Sequence, residues 1–148
     1  MQTELIQSTR TFRDFEKSFN HFFEECERGF TNDLIINMLC RIYIPGKIVI
    51  SYKANVKEMF FIRQGLVDVY NNENDDNEVS NSHKKQKPIL YLPKYSYFGD
   101  FQILFDLKSN LIYKTHEQPL KNEQEVLPDI LFMCVEKKKI QQLCSLFP

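Results

Sequence analysis

Along this chain the hydrophobic positions recur first at helical spacing and then, from about residue 40, at strand spacing. Phe12, Phe15, Phe19, Phe22 and Phe23 fall at steps of three and four, with Arg13, Asp14, Glu16, Lys17 and Glu24 on the other faces. That period predicts an amphipathic helix whose aromatic stripe packs against a core. After a break at Arg28-Gly29, Thr31 or Asn32 is placed to cap a second helix that turns Leu34, Ile35, Met38 and Leu39 inward. Asp33 lies favourably near its positive end.

Beyond this point the pattern shortens. Arg41–Ile44, Lys47–Ser51, Met59–Arg63, Leu66–Asn71 and Pro88–Leu92 are brief runs rich in Ile, Val, Phe and Tyr, separated by turn signals. No helix-length crossover divides them, so the pattern predicts antiparallel pairing in a sandwich or small barrel. Three of the four glycines punctuate these runs: Pro45-Gly46 and Gln64-Gly65 read as tight turns, and Gly99 stands where an apolar strand gives way to a short helical turn. Asn72–Lys87 passes from acidic to basic with one Val and reads as a mobile insertion at a hairpin tip. A second polar stretch, His116–Leu127, separates a strand at Leu111–Lys114 from a final one at Ile130–Val135. Glu136–Leu146 then fits a helix through Ile140, Leu143 and Leu146, with Lys137, Lys138 and Lys139 on its solvated face.

The resulting expectation is an α+β fold, a jelly-roll-like antiparallel β-roll of about eight strands. N-terminal helices, a short helix at Gly99 and a C-terminal helix flank it. We divide the chain into a linker-like helical segment, 1–30, and a β-roll domain, 31–148. With 148 residues, 43% of them hydrophobic, one sizeable core is affordable. A net charge of −1 gives no pull toward nucleic acid or anionic lipid. Cys26, Cys40, Cys134 and Cys144 lack C-x-x-C spacing and read as buried free thiols of a reducing compartment. The longest apolar runs, Leu34–Cys40 and Ile130–Val135, are far short of a membrane span, and the first residues do not resemble a secretory signal. The location expected is the cytoplasm, or the cytoplasmic side of a larger membrane protein. His21, His83 and His116 are dispersed, and no P-loop or nucleophile elbow occurs, so no catalytic constellation is expected and the chain is read as no enzyme.

Tyr97-Phe98-Gly99-Asp100 with the apolar turn after it resembles the phosphate-binding cassette of the cyclic nucleotide-binding domain family. The similarity runs roughly from Phe22 to Pro148 and includes Ile44-Pro45-Gly46-Lys47 and the hairpin around Gln64-Gly65. By that resemblance the pocket residues are Phe98, Gly99, Asp100, Phe101, Ser109 and Asn110. Amides after Gly99 would face the cyclic phosphate, and Asp100 would accept from the ribose 2′-hydroxyl in place of the family's usual Glu. Binding members carry an arginine about nine residues beyond that carboxylate. Here that count reaches Ser109-Asn110-Leu111, and no arginine follows Arg63. Losing one member of such a charge pair costs roughly 2–5 kcal/mol, or about 30-fold to several thousandfold in affinity. The family's glycines between the second and third strands are also replaced, within Lys53-Ala54-Asn55-Val56. We therefore expect no resident cofactor and only weak binding of cAMP or cGMP.

The missing arginine resembles the homology domains of ether-à-go-go-type voltage-gated potassium channels. That resemblance implies a non-catalytic cytoplasmic regulatory domain of a voltage-gated or cyclic nucleotide-gated cation channel. Its partners would be the pore and linker of the parent channel in a homotetramer assembled through the linker, without nucleic acid and without membrane insertion of this segment. In that family a long final helix follows; this chain stops at Pro148, before it. The alternative is a soluble cyclic nucleotide sensor resembling a kinase regulatory subunit.

Overall fold

The computed structural model describes residues 13–71, 87–118 and 127–147. Phe12, and nearly all of the polar insertion expected at Asn72–Lys87, lie outside them. Residues 13–18 are helical and lead through a turn at Phe19 into α1 (Asn20–Phe23) and then α2 (Arg28–Ile36). The strands are β1 (Leu39–Tyr43), β2 (Ile48–Ile50), β3 (Glu58–Gln64), β4 (Val67–Asn71), β5 (Leu90–Leu92), β6 (Tyr97–Phe98), β7 (Leu111–Thr115) and β8 (Ile130–Glu136). Helix α3 (Asp100–Leu104) interrupts them after β6, and α4 (Lys137–Leu146) follows β8. Among the described residues the strands form two four-stranded sheets, β1-β8-β3-β6 and β2-β7-β4-β5. Every pairing within them is antiparallel. This is the β-roll the strand pattern predicts.

Strand β3 explains why part of the chain reads as a continuous apolar run rather than an alternation. Met59, Phe60, Phe61 and Ile62 are all buried because both faces of the strand are covered. On one face Phe61 receives Phe15, Phe19 and Phe22 at ring distances of 5.6, 5.1 and 5.1 Å, which docks the N-terminal aromatic stripe onto the roll. On the other face Phe60 stacks on Phe98 (5.0 Å, 10°), and Phe98 stacks on Tyr113 of the second sheet (4.7 Å, 8°). Phe132 stands edge-on to both Phe60 and Phe98, at 5.4 and 5.8 Å. Offset stacks and edge contacts of this kind each add about 0.5–1.5 kcal/mol beyond their burial.

Some boundaries depart from expectation. The second helix begins at Arg28 rather than at a Thr31 or Asn32 cap, with Glu27 at its N-cap and no side-chain cap hydrogen bond. Thr31 is instead buried within the helix. Phe30 meets Phe147 at 6.3 Å, so contact between α2 and the end of α4 fixes this helix in place of a cap. Leu39 is not helical; it opens β1. All four cysteines are free, but only Cys134 is buried; Cys26 and Cys144 are half-buried and Cys40, on the edge strand β1, is exposed, which corrects the expectation of four buried thiols.

Candidate functional site

Gly99 holds the cassette in place. Its φ of +91° ends β6 and opens α3. A Cβ added there would lie 2.9 Å from the Glu58 carbonyl oxygen and 3.4 Å from a Val56 methyl. The close approach that demands glycine is thus to the chain's own backbone at the start of β3, independent of any bound phosphate. Asp100, half-buried, turns its carboxylate back onto the backbone N–H groups of Asp100 and Phe101. Burial nonetheless dominates and raises its pKa above the ordinary carboxylate value.

The other residues expected at the pocket divide between core and surface. The ring of Phe98 is 3% exposed and belongs to the aromatic column, so only its backbone faces the cassette turn. Phe101 is exposed and stacks on Phe105 at 6.0 Å. Asn110 is exposed. Ser109, in the Ser109-Asn110-Leu111 stretch where the resemblance leads one to expect an arginine, is fully buried. Its hydroxyl donates to the Leu111 carbonyl (2.6 Å), its N–H donates to Ala54 O (3.1 Å), and its carbonyl accepts from the Lys53 N–H (2.8 Å). These bonds, with the bridge between Asn55 and Lys108, tie the cassette exit to the loop between β2 and β3. In that loop Lys53 adopts a φ of +62°, a left-handed conformation that glycine takes more readily, in the stretch where the resemblance leads one to expect glycine.

The nearby cations do not replace the missing clamp. Lys114 is opposite Asp68 in the β4–β7 register and borders a cleft of about 430 Å³ together with Ile112, whereas Tyr113, between them in sequence, points into the core. Lys108 is exposed. A cation that strand spacing did not flag is Arg41. It borders a hollow of about 280 Å³ whose wall includes Val56 and Glu58, the residues against which Gly99 packs. Its guanidinium forks onto the Glu58 carboxylate through Nε (2.8 Å) and Nη2, so its charge is already matched. The pair also raises the Arg41 pKa. Beneath it, burial and Glu58 hold the Cys134 thiol far above its ordinary value, so this thiol is inert.

A further cluster was missed because His116 is far in sequence from the Asp68 and Tyr70 it joins. His116 Nδ1 lies 2.8 Å from Asp68 Oδ1, and the Tyr70 hydroxyl donates to Asp68 Oδ2 at 3.3 Å. It fastens the end of β7 to β4. Among the described residues no group of His, Cys, Asp and Glu is placed to hold a metal ion, and no helix is long and apolar enough to cross a membrane.

With this geometry in view, the fold matches solved regulatory subunits of protein kinases. The regulatory domain of Toxoplasma gondii PKA with cAMP aligns at a TM-score of 0.68 and 10% identity, over 92% of this chain and 45% of that one. The regulatory subunit of a cAMP-independent protein kinase A from Trypanosoma brucei aligns at 0.69 and 14% identity, over 95% and 44%. Its counterpart from Trypanosoma cruzi, bound to guanosine, aligns at 0.70 and 11% identity, over 95% and 42%. The chain has the fold of the cyclic nucleotide-binding domains in these subunits and spans under half of their length. No family model and no curated protein matches the sequence.

Proposed function

We propose that this chain is a non-catalytic sensor module of the kind found in kinase regulatory subunits, with a pocket that favours a nucleoside over a cyclic nucleotide. One observation carries the reading: the stretch where the resemblance leads one to expect a phosphate-holding arginine is Ser109-Asn110-Leu111, and its Ser109 is fully buried and bonded to the loops around it. A cyclic phosphate placed over the cassette therefore finds no guanidinium on the chain beyond it, since no arginine follows Arg63, and Arg41, which borders the neighbouring hollow, is forked onto Glu58. A ligand without phosphate has no such requirement, and Asp100 remains to accept from a ribose hydroxyl.

Two relatives support this direction. The Trypanosoma cruzi subunit, described as cAMP-independent, is bound to guanosine. A Trypanosoma brucei variant in which a glutamate is changed to alanine and, seven residues on, a threonine and the valine after it are changed to arginine and alanine is bound to cAMP in the A site. The kinase-subunit likeness favours the sensor over the channel-domain reading. The absent arginine suits both readings and does not separate them.

Isothermal titration with cAMP, cGMP, adenosine and guanosine tests the proposal. A nucleoside is expected to bind at least about tenfold more tightly than its cyclic monophosphate, a difference of about 1.4 kcal/mol. Submillimolar binding of either cyclic nucleotide, or no binding by any of the four, overturns it.

A further inference from the structure

The N-terminal helical stretch meets the roll along a second cleft, of about 240 Å³, which Asp14, Ser18, Arg63, Lys94 and Tyr95 border. Its inner wall is aromatic: Phe15 and Phe19 are buried, and the Tyr95 ring stands edge-on to Phe19 at 5.8 Å and 90°. Two cations come together at its mouth from separate elements, Arg63 near the end of β3 and Lys94 in the turn between β5 and β6. Among the described residues the ion pairs are Arg41–Glu58, His116–Asp68 and Lys137–Asp106, so neither cation is neutralised by one.

The residue between them is unusually held. Tyr95 has a φ of +74°, a conformation that costs a bulky side chain about 1–3 kcal/mol. The surrounding backbone enforces it: the Tyr95 N–H donates to Ile62 O and the Ile62 N–H donates to Ser96 O, both at 2.8 Å. Tyr95 thus shares the cleft with Lys94, Ser18 and Arg63, and the hydroxyl's pKa is lowered, first by Lys94. The Lys94 ammonium also lies 4.8 Å from the ring centroid.

We propose that this cleft binds a phosphomonoester carried on a small planar body. Arg63 and Lys94 take the phosphoryl oxygens, the Tyr95 hydroxyl donates to a third, and the planar body lies against the exposed part of the Tyr95 ring. A guanidinium and an ammonium without anionic partners are the groups that phosphate selects. Asp14 at the rim repels a second phosphoryl group, so the cleft takes a monoester and not a di- or triphosphate. Occupancy joins the helical stretch, through Ser18, to the roll, through Arg63 and Lys94. The site shares no residue with the cassette and does not depend on the nucleoside reading.

The test is an NMR titration of the ¹⁵N-labelled chain with phenyl phosphate, with inorganic phosphate and phenyl diphosphate alongside. We expect saturable shifts at Ser18, Arg63, Lys94 and Tyr95 with a dissociation constant below about 1 mM. Arg63→Ala and Lys94→Ala, both at exposed positions, should each weaken binding at least about tenfold while the circular dichroism spectrum stays unchanged. Asp14→Asn should strengthen binding of the diphosphate. Shifts that spread over Lys137, Lys138 and Lys139, or alanine variants that bind as the parent does, overturn the proposal. Inorganic phosphate binding as tightly as phenyl phosphate removes the planar body from it.

Discussion

The interior of the roll and the outer face of its cassette use similar residues to opposite effect. Inside, Phe60, Phe98, Tyr113 and Phe132 are buried and touch one another across the two sheets. Outside, Phe101, Leu104, Phe105 and Leu107 are each more than half exposed. The interior is fixed by contacts the chain makes with itself, and even Gly99 is required by the carbonyl of Glu58. The geometry of the cassette turn is thus accounted for by packing alone, and its presence says little about what, if anything, it holds. The chemistry of capture has to be read from the few positions that packing does not dictate.

The contrast breaks first at the core. Phe132→Ala should destabilise the fold by about 3–5 kcal/mol in guanidinium denaturation, a large share of the roughly 5–15 kcal/mol typical of such domains. Phe105→Ala on the cassette should stay within about 0.5 kcal/mol of the parent. Equal losses would mean that the cassette surface is covered in solution. The next effect sharpens the contrast. Ser109→Arg forces a guanidinium into a fully buried site and removes the bond to Leu111. It should cost more than about 2 kcal/mol without improving cAMP affinity. Asn110→Arg, one residue on and exposed, should be nearly neutral in stability and is the better position from which to gain cAMP binding in calorimetry. Improved cAMP binding by Ser109→Arg would show that the loop around it yields readily.

The smallest effect concerns pH. Because burial raises the Asp100 pKa above 3.8, the folded state favours the protonated carboxyl. The stability this contributes is complete below the unfolded value and is lost as pH rises through the folded one. Asp100→Asn removes that dependence. Its stability relative to the parent should be lowest in acid and climb as pH rises above about 4. A constant difference across that range would mean that the amides of Asp100 and Phe101 compensate the burial in full.

Much of the architecture was legible because strand alternation and turn glycines are local signals. Each of the strands from β1 to β8 lies within a residue or two of an apolar run, and Gly46, Gly65 and Gly99 all adopt positive φ. The start of α2 was not legible, since Thr31 is a good cap by type but is buried by contacts distant in sequence. At the candidate site, the loss of the arginine could be counted along the chain. That Ser109 serves as a clamp between loops could not, because its partners Lys53 and Ala54 reach it only through the fold. The same holds for Arg41 with Glu58, for His116 with Asp68, and for Arg63 and Lys94 brought together beside Tyr95.

Strand β8 lies between β1 and β3, so the first sheet has no continuous ladder until residues 130–136 are in place. During synthesis, β1 and β3 must therefore wait as bare edges while the residues from 44 to 129 emerge between β1 and β8. Such distant pairing slows folding and lengthens the interval in which edges can stick to other chains. For a nascent polypeptide with this order of strands, the hazard comes before the final strand leaves the ribosome, and chaperone demand should be greatest there.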